Sequence, residues 1–222
     1  GVIIALHWIT FFYAIKISNV SITVSMMSSA AFLTSLLEPL FFKKKFLLYE
    51  LILGVLSLFG VFIIFNAELK YIDGLIVALI SSILVSVFTL LNSRIVVNNS
   101  SITISFYELF VGFLFSFLYY YLFFDASLFL KKINNQDFML LVILGIVCTS
   151  YAFTKSVDLI KYLKPFTIMM IINMEPVYAI LISLLIFGES EYLSINFYIG
   201  FMIVLLSVII NGIYKYKINK IS

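Results

Sequence analysis

Asn173-Met174-Glu175-Pro176-Val177-Tyr178-Ala179-Ile180-Leu181-Ile182-Ser183-Leu184-Leu185-Ile186-Phe187-Gly188-Glu189 is the stretch that decides the fold. Together with the residues from Pro165 onward it makes an apolar run over 165–187. A helix that crosses the hydrocarbon core of a bilayer needs about 20 such residues. Glu175 falls near the middle of the run. An ionisable group at that depth costs about 2.5–3.5 kcal/mol, so it faces a cavity or a partner rather than lipid. Pro176 has no amide hydrogen to give, so it disrupts the helix locally and frees a carbonyl in the turn before it. The stretch therefore predicts a membrane-spanning helix broken near its centre beside a charge.

The rest of the chain has the same character. Its 222 residues are 64% hydrophobic and 11% charged, with a mean hydropathy of +1.18. Soluble domains average about 45–50% apolar and about 25% charged, and they keep much of their surface in water. Only lipid tolerates the excess. Apolar runs predict eight spans, at 1–17, 20–42, 46–66, 73–95, 102–124, 138–160, 165–187 and 192–213. The fold class is all-α polytopic membrane protein. Polar residues gather in the breaks, none long enough for a soluble domain, and the longest, 126–136, predicts a short amphipathic stretch around Leu128, Phe129 and Leu130. The chain opens on Gly1 inside an apolar run, with no basic leader or cleavage site before it, so it is expected to be the downstream part of a longer protein.

Lys and Arg placement predicts orientation, because cytoplasmic loops keep the excess. With the C-terminus cytoplasmic, the inside loops hold Lys43, Lys44, Lys45, Arg94, Lys161, Lys164, Lys215, Lys217 and Lys220. The outside loops then hold Lys16, Lys70, Lys131 and Lys132, and Lys155 stays within a span. The segment 5–42 also lies on 150–187 at a constant offset of 145, matching Ile15-Lys16 to Ile160-Lys161 and Leu36, Leu40 and Phe42 to Leu181, Leu185 and Phe187. Under this offset Lys43-Lys44-Lys45 meets Gly188-Glu189-Ser190, the swap of basic for acidic expected of two copies with opposite orientation. Such inverted repeats are a mark of many secondary transporters. A period of 145 residues holds five helices, so residues 1–66 correspond to the last three helices of a first repeat. Residues 73–213 form a complete second repeat, and 214–222 a cytoplasmic tail.

The run from Asn173 to Glu189 resembles the ninth helix of the EamA family, within the drug/metabolite transporter superfamily. The resemblance rests on Glu175-Pro176 inside the helix and Phe187-Gly188-Glu189 at its end. Lys161-Tyr162-Leu163-Lys164-Pro165-Phe166 fits the family's preceding connection. Tyr13 to Ser18 and Leu37 to Lys45 look like the third and fourth helices of its first repeat. The chain departs from the pattern at Lys44, where the family places an acidic residue nearby, and at Ala31, where the family often has proline. The resemblance implies a ten-helix fold, of which eight helices are visible here. It also implies a membrane carrier of metabolites such as amino acids, nucleosides or drugs, in a bacterial-type plasma membrane.

Glu175 is the leading candidate for binding a substrate ammonium or accepting a proton, with Tyr178 three residues on along the same face. Asn173, His7, Trp8 and Ser28 are the further substrate-binding candidates, and Pro176 is the helix breaker. Lys155 and Asp158, three apart, form a candidate gate or structural pair. Glu108 and Arg94 are expected to pair across a short loop, and Glu38, beside three lysines, reads as an interfacial charge. Of the row Ser21, Ser25, Ser28 and Ser29, Ser21 suits a close-packed seam and Ser28 a cavity. Cys148 reads as packing. One His and one Cys cannot build a zinc site of the usual kind, and there is no phosphate-binding loop, so no metal or cofactor is expected. A net charge of +3 with scattered lysines offers no nucleic-acid face. The expected partners are a small-molecule substrate and membrane lipid, with a homodimer left open. A non-catalytic carrier is favoured over a membrane assembly protein, and both over an intramembrane enzyme, which would need a His/Glu cluster or a Ser–His pair in its proper context.

Overall fold

The structure is a computed structural model that describes residues 1–124, 134–188 and 193–221. The amphipathic stretch expected around Leu128 lies outside the described residues. The described residues contain eleven α-helices: α1 (Val2–Ile17), α2 (Val20–Met27), α3 (Ser29–Phe42), α4 (Leu48–Ala67), α5 (Ile72–Ile95), α6 (Ser101–Phe123), α7 (Asn135–Ile143), α8 (Ala152–Leu159), α9 (Pro165–Ile172), α10 (Glu175–Phe187) and α11 (Ile195–Ile221). A π-helical stretch, Leu144–Tyr151, joins α7 to α8 without a break. Six of the resulting rods are long and apolar enough to cross a membrane, and α1 and the apolar part of α4 are shorter. These eight rods coincide with the eight expected spans. The fold is therefore that of an integral, multi-pass, all-helical membrane protein. The last candidate span ends at Tyr214, close to the expected residue 213, and α11 continues beyond it as helix to Ile221.

Helices dominate because a bilayer offers no water to satisfy peptide groups, and a helix satisfies its own. The caps follow the same need. Asn19 opens α2 by accepting the Ile22 amide on its Oδ1 at 2.9 Å, and Asn134 opens α7 by accepting the Asp137 amide at 2.7 Å. α3 ends on Lys43, whose φ of 51° turns the chain out of the helix. Acidic side chains do similar service between elements. Glu38 is buried and accepts the Phe166 amide at the start of α9 at 3.1 Å. Glu68 accepts both the amide and the hydroxyl of Ser194, at 3.0 and 2.7 Å, at the entrance to α11. Glu38 is thus a buried cap and not the interfacial charge its lysine neighbours implied, because the fold brings α9 across the end of α3.

Two rods are broken. α2 gives way to α3 at Ser28, and α9 to α10 at Asn173-Met174. Ser28 and Asn173 are separated by 145 residues, the offset already visible in the sequence. The Asn173 side chain reaches the Ser28 carbonyl at 3.4 Å, so the two breaks meet. Contacts on either side repeat under the same offset: Glu38 with Phe166 on one side corresponds to Ser21 with Ser183, whose hydroxyls are 3.2 Å apart, on the other. The first break forms although Ala31 replaces the proline of the second repeat.

The breaks also divide the core. Ile22, Val24 and Met26 of α2 pack with Ile180 of α10, Phe197, Phe201 and Val204 of α11. Ala30 and Ala31 of α3 pack with Ile168, Met169 and Met170 of α9 and with Val157 and Ile160. α4 and α11 cross so closely that their backbones touch. A β-carbon on Gly60 would stand 2.5 Å from the Gly200 carbonyl oxygen, and one on Gly200 would stand 2.6 Å from that of Gly60. Small residues permit this approach in membranes, where packing rather than water expulsion holds helices together. The outward faces of the rods carry many exposed apolar side chains, from Phe106 and Phe113 on α6 to Leu185 and Ile186 on α10, as lipid requires.

Gly60→Leu or Gly200→Leu is expected to lower stability by roughly 1–3 kcal/mol, the usual range for overpacking. Gly212→Leu, at a site with open space around it, is expected to leave stability unchanged. Denaturation of the purified protein in detergent checks both.

Candidate functional site

The two breaks open onto a cavity of about 500 Å³, within the range of about 300–1,000 Å³ typical of small-molecule sites. α1 contributes His7, Trp8 and Phe11. The broken rods contribute Met27 and Ser28 on one side and Ile172, Asn173 and Glu175 on the other. α5 adds Phe88 and Thr89, and the π-helical stretch with α8 adds Cys148, Thr149, Phe153 and Ser156. The wall is mainly apolar and aromatic. Trp8 meets Phe153 edge-on at 6.0 Å, and Phe153 lies 5.6 Å from Phe88.

Glu175 begins α10 directly after the break. It is exposed and is one of the residues that line the cavity. Among the described residues nothing hydrogen-bonds or ion-pairs with its carboxylate. Asn173 and Ser28, by contrast, are almost fully buried at the junction of the two breaks. Ser57 of α4 also points its hydroxyl at the Ser28 carbonyl, at 3.4 Å.

His7 is held by α5. Its Nδ1 lies 3.0 Å from the Ser81 carbonyl and 2.8 Å from the Ser81 hydroxyl, and that hydroxyl lies 3.0 Å from the His7 carbonyl. A carbonyl only accepts, so Nδ1 carries the proton toward Ser81 and the hydroxyl donates to the His7 carbonyl. Nε2 is left with its lone pair. Nearby, Ser29 and Ser82 bond across the α3–α5 contact at 2.7 Å. This polar seam fixes the register of α1 and α3 on α5.

Five of the six substrate-binding candidates, Glu175, Asn173, His7, Trp8 and Ser28, therefore share one cavity. Tyr178 does not join them and is 62% exposed on the outer side of α10. At 3.6 residues per turn, the face of α10 that carries Ile180 and Ser183 packs inward, and Tyr178 lies beyond Glu175 on the other side. Pro176 stands in the first turn of α10, where the break expected of it occurs. The Lys155–Asp158 pair is not formed. Asp158 instead pairs with Lys161 at 3.1 Å and accepts the Ser101 hydroxyl at 2.8 Å, because α8 ends at Leu159 and the turn swings Lys161 back. Lys155 sits 5.9 Å over the Tyr151 ring. Glu108 accepts from the Asn92 side chain at 3.1 Å rather than pairing with Arg94. Cys148 is exposed on the cavity wall, not packed in a core. Thr89, Thr149 and Ser156 also line the cavity and were not singled out from sequence, since isolated hydroxyls in apolar runs carry no distinguishing pattern.

Discontinuous helices that meet at a solute-sized cavity recur among membrane transporters. The profile of the EamA-like transporter family matches residues 72–213, from α5 into α11. The chain belongs to the EamA-like transporter family, part of the drug/metabolite transporter superfamily. A solved structure described as "Crystal structure of protein" is similar in fold, with a TM-score of 0.67 and 14% identity over 97% of this chain and 75% of that one. No curated protein matches the sequence.

Because Cys148 faces the cavity, a water-soluble maleimide is expected to modify it in the reconstituted protein. A cavity closed to water would leave it unmodified while a membrane-permeant maleimide still reacted.

Proposed function

We propose that this protein carries a small metabolite, of the size of an amino acid, nucleoside or drug, across a bacterial-type plasma membrane by alternating access. The unpartnered carboxylate of Glu175 inside the cavity is the observation that supports this most. A charge at such depth is retained where it binds a solute or an ion. His7, Trp8, Ser28 and Asn173 complete the binding site. The two rocking halves are the first-repeat helices in residues 1–66 and the second repeat in 73–213, joined where Ser28 meets Asn173. The basic loops put the C-terminus in the cytoplasm. The protein acts as a carrier and not as an enzyme, and the gradient of solute or ion supplies the drive.

Uptake of a mixed panel of labelled amino acids, nucleosides and amines into proteoliposomes, with and without a pH gradient, tests this. Saturable uptake is expected for the wild type, to be lost in Glu175→Gln and kept in Tyr178→Phe, whose side chain lies outside the cavity. Uptake equal in wild type and Glu175→Gln would remove Glu175 from the binding site. Absence of uptake for the whole panel would count against a carrier.

A further inference from the structure

We propose that the cavity selects a monocationic amine with an apolar or aromatic body and disfavours zwitterions and anions. This rests on the carrier reading and narrows its substrate class.

The charges decide it. Glu175 is acidic and, among the described residues, no Lys or Arg lines the cavity. Three lysines near the lining in sequence are engaged elsewhere: Lys161 with Asp158 at 3.1 Å, Lys164 with Glu50 at 3.8 Å, and Lys155 over the Tyr151 ring. An ammonium entering the cavity therefore gains a carboxylate partner. A carboxylate entering with it loses its water and gains no cation, and a buried charge without a partner is strongly disfavoured.

The neutral polar groups point the same way. His7 spends its Nδ1 proton on Ser81, so the ring's remaining polar atom, Nε2, accepts and does not donate. It suits an N–H of the solute and cannot hold a carboxylate. The aromatic wall supplies the third element. Trp8, Phe88 and Phe153 form a contiguous cluster from three different rods. Ring faces attract cations, tryptophan most strongly, and their apolar surface suits an aryl or alkyl body.

Phenethylamine and phenylalanine differ only by a carboxylate and form the test pair, applied to the reconstituted chain. Two readouts are used: uptake, and the rate of Cys148 alkylation, which an occupant of the cavity slows. Phenethylamine is expected to slow alkylation and to be taken up saturably, with at least about a tenfold preference over phenylalanine, as loss of one partner of a buried charge pair implies. In Glu175→Gln the preference is expected to vanish while alkylation without ligand stays at the wild-type rate, which shows that the cavity is intact. Phenylalanine protecting and entering as well as phenethylamine would overturn the amine inference and leave the carrier standing. Protection by phenethylamine without uptake of any solute would support the amine site and count against transport. Protection by neither compound would overturn the amine site.

Discussion

The meeting of the two helix breaks at Ser28 and Asn173 is the constraint on which the rest of the structure depends. A helix interrupted inside a membrane strands peptide groups that lipid cannot satisfy. Here each break lies against the other, and the side chains of Asn173 and Ser57 turn to the carbonyl of Ser28. The chain tolerates irregular backbone at depth because that backbone is buried in protein or lines a cavity. A cavity follows almost of necessity, since rods that change direction at their centres cannot pack tightly along their whole length. The core accordingly splits into two clusters, one on each side of the breaks.

Polar side chains around this centre sort into two kinds. The serines that bond to one another across helices, Ser21 with Ser183 and Ser29 with Ser82, consume their hydrogen-bonding capacity inside the protein and hold helices in register. Those that face the cavity keep capacity in reserve. Glu175 belongs to the second kind, and His7 to both, with one ring nitrogen given to Ser81 and the other left over. Buried acids elsewhere, Glu38 and Glu68, are tied to backbone amides and play a structural part. Depth in the membrane alone does not separate these cases; the presence or absence of a partner does.

The departures from expectation share a cause. Tyr178 is close to Glu175 in sequence but turned away from the cavity, because α10 packs the side bearing Ile180 and Ser183 against α2 and Tyr178 stands on the opposite side of the helix. Asp158 has two lysines within helical reach, and the end of α8 at Leu159 hands it to Lys161 instead of Lys155. Glu38 stands among lysines in sequence but meets α9 in space. In each case local spacing left more than one outcome open, and contacts across more than a hundred residues, or the end of a helix, chose between them.

The sequence by itself determined the membrane location, the eight rods, a break beside Glu175-Pro176 and the 145-residue offset. Hydrophobic length, proline and repetition act locally or along the chain, and no neighbour is needed to express them. Only the tertiary structure decided that Ser28 breaks its helix without a proline, that His7 and Trp8 share a cavity with Glu175, and that a π-helical stretch bearing Cys148 lines that cavity. Those facts depend on which helices lie side by side. In a chain so uniformly apolar, packing shape sets that choice, and a linear pattern of Leu, Ile and Phe does not encode it legibly.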